Sequence, residues 1–211
     1  MRKKSAASPA AEGSTPKRDL LLDTADRLFY RDGFHAVGID TILAEAGLAK
    51  MTLYHHFASK EELIVASLHR RVDAIRTGVK AAMEAAGSSP RKRLLALFDW
   101  YEAWFKSKGF NGCAFIRAVG EYPTLESPVH QLVLQQKQKS REGLALLLTE
   151  MELPGAKALA AQIQLLLEGA IVCAHTYGDP STLSAARDAA LALIKVAEQK
   201  RSAQAAGSRA F

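Results

Sequence analysis

The chain of 211 residues is 48% hydrophobic and 24% charged, a composition that is ordinary for a globular protein and excludes disorder along its whole length. Its net charge of +6 lies at the two ends, because residues 1–18 hold five basic and one acidic side chain and residues 195–211 hold four and one. No uncharged apolar run reaches the roughly 18 residues of a membrane span, and no apolar segment follows the basic N-terminus. We therefore expect no contact with a membrane, no secretion and a cytoplasmic location.

Helical periodicity and cap residues predict an all-α fold of about nine helices, since no segment alternates with period two between hairpin turns. Thr15 followed by Pro16 marks the start of the first helix, and Ser59 ahead of two glutamates marks the start of the longest. The expected helices cover approximately residues 16–32, 39–46, 50–56, 59–86, 90–108, 113–121, 128–153, 156–177 and 180–200.

Residues 38–60 (GIDTILAEAGLAKMTLYHHFASK) have the pattern of a helix-turn-helix. Gly47 permits the tight turn between the two short helices, because glycine adopts a left-handed backbone without strain. Leu53 and Phe57 lie four residues apart and can anchor the second helix from behind. The remaining side chains of that helix are then left for the more exposed positions: Lys50, Met51, Thr52, Tyr54, His55 and His56.

The chemistry of these side chains suits contact with DNA. Lys50 and Lys60 carry charge for phosphates or guanine edges, while Thr52 and Tyr54 offer hydroxyl groups to phosphate oxygens. Tyr54 and His55 add flat surfaces for sugars or thymine methyl groups.

The segments AGLAKMTLYHHFASKEEL (46–63) and FYRDGFHAVGIDTI (29–42) resemble the DNA-binding domain of the tetracycline-repressor (TetR) family, with a strong match over residues 18–66. The resemblance implies a homodimer that binds a palindromic double-stranded operator and releases it when a small molecule enters the C-terminal domain. Three positions depart from the family pattern: Ala49 and Gly38 replace a usual Ser or Thr, and Met51 replaces a small residue. By position, the implied DNA contacts are Thr41, Lys50, Met51, Thr52, Tyr54, His55, His56 and Lys60.

Structural alternatives remain open at several of these positions. His56 can pack or hydrogen-bond near the end of its helix, Tyr54 can pack partly against the first helix, and Lys60 can be an ordinary solvated charge. Lys50 and Thr52 are the positions at which DNA contact is most expected.

Four segments follow from these patterns. Residues 1–14 are expected to form a disordered basic arm, 15–60 the three-helix DNA-binding domain, 61–203 a helical effector-binding and dimerisation domain, and 204–211 a flexible tail.

Two apolar stripes on the last two helices are predicted to form the dimer interface, which the family resemblance implies is a four-helix bundle. The alternative is that both stripes only close the core of one chain. The stripe residues that we assign to the interface are Ile163, Leu167, Ala170, Ile171, Ala174, Ala190 and Ile194.

More than half of the aromatic residues lie between positions 98 and 122, which fits either an apolar pocket or an ordinary core. We interpret the cluster as an effector pocket. Its candidate residues are Trp104, Phe115, Arg117, Tyr122 and His175. Glu168 requires a partner if it is buried, and a residue across the dimer is one option.

No catalytic, cofactor or metal site is predicted, because the chain lacks the nucleophile-elbow, phosphate-loop, dinucleotide and zinc motifs. The adjacent His55 and His56 point about 100° apart on a helix and make a poor metal pair. Cys113 and Cys173 are predicted to be small buried hydrophobes, with a redox role for Cys113 as the alternative. The sequence thus predicts a ligand-responsive transcriptional repressor, and the alternative is a DNA-binding protein of the same fold without an effector.

Overall fold

The computed structural model describes residues 15–207, so the predicted arm at residues 1–14 and the last four residues of the predicted tail lie outside it. Over that range the protein is helical, without a strand, as the sequence predicts. The helices are α1 (Pro16–Asp32), α2 (Ile39–Ala46), α3 (Lys50–His56), α4 (Lys60–Ala85), α5 (Pro90–Phe105), α6 (Ala114–Glu121), α7 (Pro128–Glu150), α8 (Ala156–Tyr177) and α9 (Thr182–Gly207).

Local capping explains most of the helix starts. The Thr15 side chain accepts a hydrogen bond from Arg18 N at 3.3 Å, and Pro16 fills the first turn of α1, where its missing N–H costs nothing. At the start of α4, Ser59 Oγ accepts from Glu62 N at 3.1 Å and the Glu62 carboxylate accepts from Ala58 N at 2.6 Å. The Ser59 cap confirms the helix start that the sequence predicts, and the Glu62 carboxylate adds a second bond to the residue before the cap.

Three helices differ in length from the prediction by three residues or more, and the first of them, α5, ends at Phe105 rather than at residue 108. The helix α7 ends at Glu150, earlier than predicted, because Glu152 adopts a positive φ of 57° and Leu153 N donates to Leu148 O at 3.2 Å. The helix α9 continues to Gly207, seven residues beyond the predicted end and past the predicted domain boundary at residue 203.

The chain divides into two compact units, one ending at Ser67 and the other beginning at Leu68. The boundary falls inside α4 rather than at the predicted position between residues 60 and 61. The first turns of α4 belong to the first unit because Leu63 and Ile64 are completely buried and Ser67 Oγ donates to Asp26 Oδ1 at 2.8 Å.

The core of the second unit is built around α8, which packs between α7 and α9. By length and composition α8 could cross a membrane, since an 18-residue window has a mean hydropathy of 1.4. One face of the helix is buried against its neighbours, and Glu168 on another face pairs with Lys137 of α7. These contacts are those of a core helix in a globular unit.

Candidate functional site

The first unit contains a helix-turn-helix formed by α2 and α3. Gly47 adopts the left-handed conformation (φ 63°, ψ 35°), and Leu48 N donates to Leu43 O at 3.1 Å to close the turn. Leu53 and Phe57 are buried, which confirms that they anchor α3 from behind. This packing turns the opposite face of α3 toward solvent.

The exposed face of α3 carries the side chains that the sequence selects for DNA contact. Met51 is 80% exposed and Tyr54 is 45% exposed, although both have large apolar surfaces that would gain from burial. Lys50 is exposed and its Nζ lies 3.9 Å from Asp40 Oδ1, a distance that leaves the ammonium group available to another anion. Thr52 is half-buried beside them, and His55 is exposed.

The predicted DNA contacts beside the exposed face of α3 have varied surroundings. Thr41 is exposed on α2, and the Nζ of Lys60, at the start of α4, donates to His35 O at 3.4 Å. His56 Nε2 lies 3.4 Å from Thr15 Oγ1, so His56 has the structural contact that the sequence left open as its alternative.

Sequence reasoning missed the first turn of α1 as part of this surface. The Thr15–His56 contact holds the start of α1 at the end of α3, and the Arg18 guanidinium lies 5.0 Å from the centre of the Phe57 ring. Lys17 is exposed between these two contacts. The signal was present in the sequence as the basic pair Lys17 and Arg18, which was counted only in the net charge of residues 1–18.

The second unit encloses a cavity of about 540 Å³ between five helices, within the usual range of ligand sites. Four aromatic side chains from α5 and α6 line the cavity, and five basic side chains line it as well. The lining residues are Val72, Ile75, Arg76, Val79, Lys80, Met83 and Glu84 of α4, Arg93, Leu97, Trp100, Tyr101 and Trp104 of α5, Cys113 and Phe115 at α6, Gln136, Lys137, Lys139, Ser140, Gly143 and Leu144 of α7, and Gln164, Leu167, Glu168 and Ile171 of α8.

A cluster of polar side chains projects into this cavity. Lys137 Nζ donates to Glu168 Oε1 and lies 3.8 Å from Cys113 Sγ and 6.0 Å from the centre of the Phe115 ring. Burial raises the pKa of the Tyr101 hydroxyl, and the nearby Glu168 carboxylate raises it further. The Glu168 partner is thus a lysine of the same chain, and not a residue across a dimer.

Only part of the predicted effector set lines the cavity. Trp104 and Phe115 lie in its wall, whereas Arg117, Tyr122 and His175 do not. The Tyr122 carbonyl is 2.9 Å from His130 Nδ1, and Arg117 Nη2 donates to Asn111 O at 3.5 Å. His175 is exposed near the end of α8, with its ring 6.4 Å from that of Phe110.

The predicted dimer stripe needs a correction. Every one of its residues is buried within a single chain, at 5% exposure or less, so none offers a surface to a partner. The alternative, that these side chains close the core of the chain itself, is the one that the structure supports. The corrected positions are Ile163, Leu167, Ala170, Ile171, Ala174, Ala190 and Ile194.

A different apolar face of α8 and α9 is exposed. Leu165 is 73% exposed and Val172 is 46% exposed, and Gly169 lies between them on the same side of α8. On α9, Val196 is 49% exposed, one turn beyond the exposed Ala192. We name Leu165, Gly169, Val172, Ala192 and Val196 the outer α8–α9 face.

The cysteines carry no metal site. Within residues 15–207, no group of three or more His, Cys, Asp or Glu side chains is placed to hold a metal ion. Cys113 and Cys173 are free and half-buried, and Cys113 lines the cavity beside Lys137.

Comparison with known proteins agrees with both units. Residues 21–66 match the family model described as bacterial regulatory proteins, tetR family, and residues 90–190 match the tetracyclin repressor-like C-terminal domain. A crystal structure of a TetR-family transcriptional regulator from Streptomyces coelicolor is 33% identical with a TM-score of 0.80, covering 86% of this chain and 95% of that one.

Two curated relatives match over shorter stretches. The HTH-type transcriptional activator FasR of Mycolicibacterium smegmatis is 41% identical over 90 residues, which is 41% of each chain. The HTH-type transcriptional repressor NemR of Escherichia coli is 30% identical over 105 residues, 49% of this chain and 53% of that protein. Together with the helix-turn-helix and the helical second unit, these matches identify the chain as a member of the TetR family of DNA-binding transcriptional regulators.

Proposed function

We propose that this regulator is a cytoplasmic homodimeric repressor that leaves its operator when a small, mostly apolar molecule enters the cavity of the second unit. The observation that carries the effector role is the cavity itself, a space of about 540 Å³ walled by aromatic rings and a polar cluster. A DNA-binding protein of this fold without an effector would gain stability by filling such a space, because interiors are close-packed.

The exposed face of α3 recognises DNA. Lys50 and Thr52 read base edges, Tyr54 and Lys60 contact phosphates, and Met51 offers an apolar surface to thymine methyl groups. The length of α3, seven residues, suits insertion of one helix into the major groove. Thr41, His55 and the exposed Lys17 add contacts at the edges of this surface.

The outer α8–α9 face forms the dimer interface. Leu165 and Val172 would otherwise leave large apolar surfaces in water, and Gly169 and Ala192 allow a second helix to approach closely. A twofold axis on this face gives each dimer two copies of α3, and a palindromic operator requires them about 34–36 Å apart, one turn of B-DNA.

The helix α4 couples the two functions. It starts in the first unit and its residues from Val72 to Glu84 line the cavity, so one continuous helix belongs to both. An effector that shifts this helix changes the separation of the two α3 helices and weakens DNA binding. A coupling free energy of about 1–3 kcal/mol, or 5–150-fold in affinity, is typical of such linkage.

Selection of duplexes from a random pool at fixed salt tests the DNA-binding part. We expect a palindromic consensus with two half-sites, whereas recovery of unselected sequence would contradict a sequence-specific dimer.

Gel-shift titration on the selected operator then tests the effector part. Compounds shown to bind by tryptophan fluorescence should release the wild-type protein from DNA. Gly143→Phe is the matched control, because this glycine lines the cavity and an added Cβ meets open space, so we expect the ring to reduce the volume left for a ligand. This variant should bind DNA normally and ignore the compounds. Bound compounds that never change DNA affinity would refute the effector role.

The proposed regulation is repression of transcription, and activation is the other possible outcome of DNA binding. FasR is named an activator and NemR a repressor, so both outcomes occur among the relatives. A reporter gene behind the selected operator decides between them, since loss of the protein raises expression for a repressor and lowers it for an activator.

A further inference from the structure

The phenol ring of Tyr101 is held on the cavity wall by its aromatic neighbours. Its ring centre lies 5.3 Å from that of Trp100, 6.1 Å from that of Trp104 and 6.4 Å from that of Phe105. Trp100, Tyr101 and Trp104 line the cavity, and Phe105 is buried. Because these contacts fix the ring before any molecule binds, the position of the hydroxyl group is set in advance.

The Tyr101 hydroxyl group has a proton to donate and no acceptor within the chain. Among residues 15–207 it makes no hydrogen bond, and the groups that act on it electrostatically are Glu168 and Cys113, which also line the cavity. Burial raises the pKa of this hydroxyl, and the Glu168 carboxylate raises it further, so the group keeps its proton. A donor that is withdrawn from water without an acceptor costs free energy. A molecule in the cavity can supply that acceptor.

The polar groups next to Tyr101 offer donors to a ligand rather than acceptors. Glu168 Oε1 already accepts from Lys137 Nζ, and Glu168 Oε2 is sealed from the accessible surface. The Lys137 ammonium has three N–H groups, and its hydrogen-bond contacts are Glu168 Oε1 and the weakly accepting Cys113 Sγ at 3.8 Å. A ligand with only a donor would find no free oxygen of Glu168 and would leave the Tyr101 proton unpaired. A ligand with an acceptor oxygen pairs that proton.

Most ionised side chains that line the cavity are already paired within the chain, which favours an uncharged ligand. The paired residues are Arg76 with Asp73, Lys80 with Glu84, Arg93 with Glu150 and Lys137 with Glu168. Lys139, the remaining basic residue of the lining, is exposed to solvent. A charged group buried in the cavity would therefore lack a dedicated counter-ion, and an unpaired buried charge is costly.

We propose that the cavity binds an uncharged aromatic molecule bearing a carbonyl oxygen, which accepts a hydrogen bond from the Tyr101 hydroxyl while its rings pack against Trp100, Trp104 and Phe115. Flat aromatic molecules fit such a wall in offset or edge-on contact. This assignment rests on the proposed effector role of the cavity and adds the chemical class of the effector. Tyr101 is the residue that distinguishes an acceptor-bearing molecule from one of the same shape without an acceptor.

Tricyclic probes of one shape test the assignment. The probe 9-fluorenone carries a carbonyl oxygen, fluorene carries a methylene group at the same position, and carbazole carries an N–H donor there. Equilibrium dialysis measures each affinity directly, and the ratio of Kd for fluorene to Kd for 9-fluorenone gives the preference for the acceptor. We expect 9-fluorenone to bind about fivefold more tightly than fluorene, as for one hydrogen bond between uncharged groups. Carbazole and the charged probes fluorene-9-carboxylate and 9-aminofluorene should bind more weakly than 9-fluorenone.

Tyrosine variants locate the preference in one hydroxyl group. Tyr101→Phe removes that group and keeps the ring, so the preference for 9-fluorenone should fall by about fivefold while the affinity for fluorene stays unchanged. Tyr177→Phe is the matched control, since this tyrosine is 72% exposed at the end of α8 and lies outside the cavity lining. It loses the same group and should keep the full preference. Circular dichroism checks that each variant is folded.

Several results would overturn the assignment: equal binding of 9-fluorenone and fluorene to the wild type, tighter binding of carbazole or of a charged probe, an undiminished preference in Tyr101→Phe, or no binding of any probe. The effector role fails separately. If the preference holds and depends on Tyr101 but 9-fluorenone leaves operator binding unchanged, the ligand class stands and the effector role does not. If a charged probe binds more tightly and releases DNA, the effector role stands and the ligand class is wrong.

Discussion

Gly78 lies inside α4 opposite the indole ring of Trp100, and the absence of a side chain there lets the ring pack against the helix. A Cβ atom at Gly78 would lie 2.7 Å from Trp100 Nε1, whereas ordinary contact begins at 3.4 Å. Gly78→Ala therefore forces the indole away from α4. Because Trp100 lines the cavity, the displacement also alters the surface on which a ligand binds.

Two opposing effects determine the stability of Gly78→Ala. Replacing glycine by alanine inside a helix favours folding by about 1 kcal/mol, while forcing a methyl group into a filled position costs about 1–3 kcal/mol. The net change in the wild-type background should be a loss of about 0–2 kcal/mol. In a Trp100→Leu background the clash is gone, so the same substitution should stabilise the protein by about 0.5–1 kcal/mol.

Urea denaturation of the four proteins at one protein concentration measures this difference as a double-mutant cycle. Gly143→Ala is the control, since this glycine lies inside α7 with no atom within 4 Å of an added Cβ, and it should stabilise both backgrounds equally. A Gly78→Ala substitution that stabilises the wild type as much as it stabilises Trp100→Leu would refute the packing of Trp100 on α4.

Three further predictions concern dimerisation, DNA contact and pH. Leu165→Glu should convert the dimer to monomers in sedimentation velocity, whereas Leu146→Glu, at a similarly exposed leucine of α7, should stay dimeric. If both variants stay dimeric, the outer α8–α9 face is not the dimer interface. Lys60→Ala should weaken binding to all DNA sequences and lower the slope of log affinity against log salt concentration by about one, as for a phosphate contact. Lys50→Ala should instead change which bases are selected. Equal losses of affinity on specific and random DNA for both variants would contradict these two roles. The raised pKa of Tyr101 gives stability that is complete below the ordinary tyrosine pKa of 10.0 and is lost as pH rises above it. The free energy of unfolding should therefore fall more steeply above pH 10 in the wild type than in Tyr101→Phe, by about 1.4 kcal/mol per pH unit, and parallel curves would count against the shift.

The sequence predicts the fold well where helix ends are set by local chemistry. Thr15 and Gly47 act on backbone groups only a few residues away, so their effects can be read without tertiary contacts. The end of α9 is different, because Arg201 donates to Met151 O at 2.8 Å and so packs the last turns of the helix against the end of α7. A contact between residues so distant in sequence leaves no local signal.

The exposed face of α3 and the cavity also differ in how far the sequence predicts them. The exposed face of α3 follows from the burial of Leu53 and Phe57, since helical spacing alone places the remaining side chains opposite them. The cavity depends on where packing is incomplete between helices, and this is a property of three-dimensional shape. Lys137 stands in a run of Gln, Lys and Ser that is typical of a solvated face, and yet it reaches the cavity and Glu168.

The pattern of α8 explains why the predicted dimer stripe is buried within one chain and not exposed. A helix that is apolar on nearly all sides has more than one stripe, and periodicity defines each stripe without stating which neighbour covers it. The stripe containing Ile163 and Ala170 is covered by the chain's own helices, and this leaves Leu165, Gly169 and Val172 at spacings of four and three on the opposite side. The packing of one chain covers the first stripe and leaves the second exposed, and a contiguous exposed apolar patch is typical of an interaction surface. The case for a second copy therefore rests on the residues that remain exposed and not on those with the strongest hydrophobic pattern.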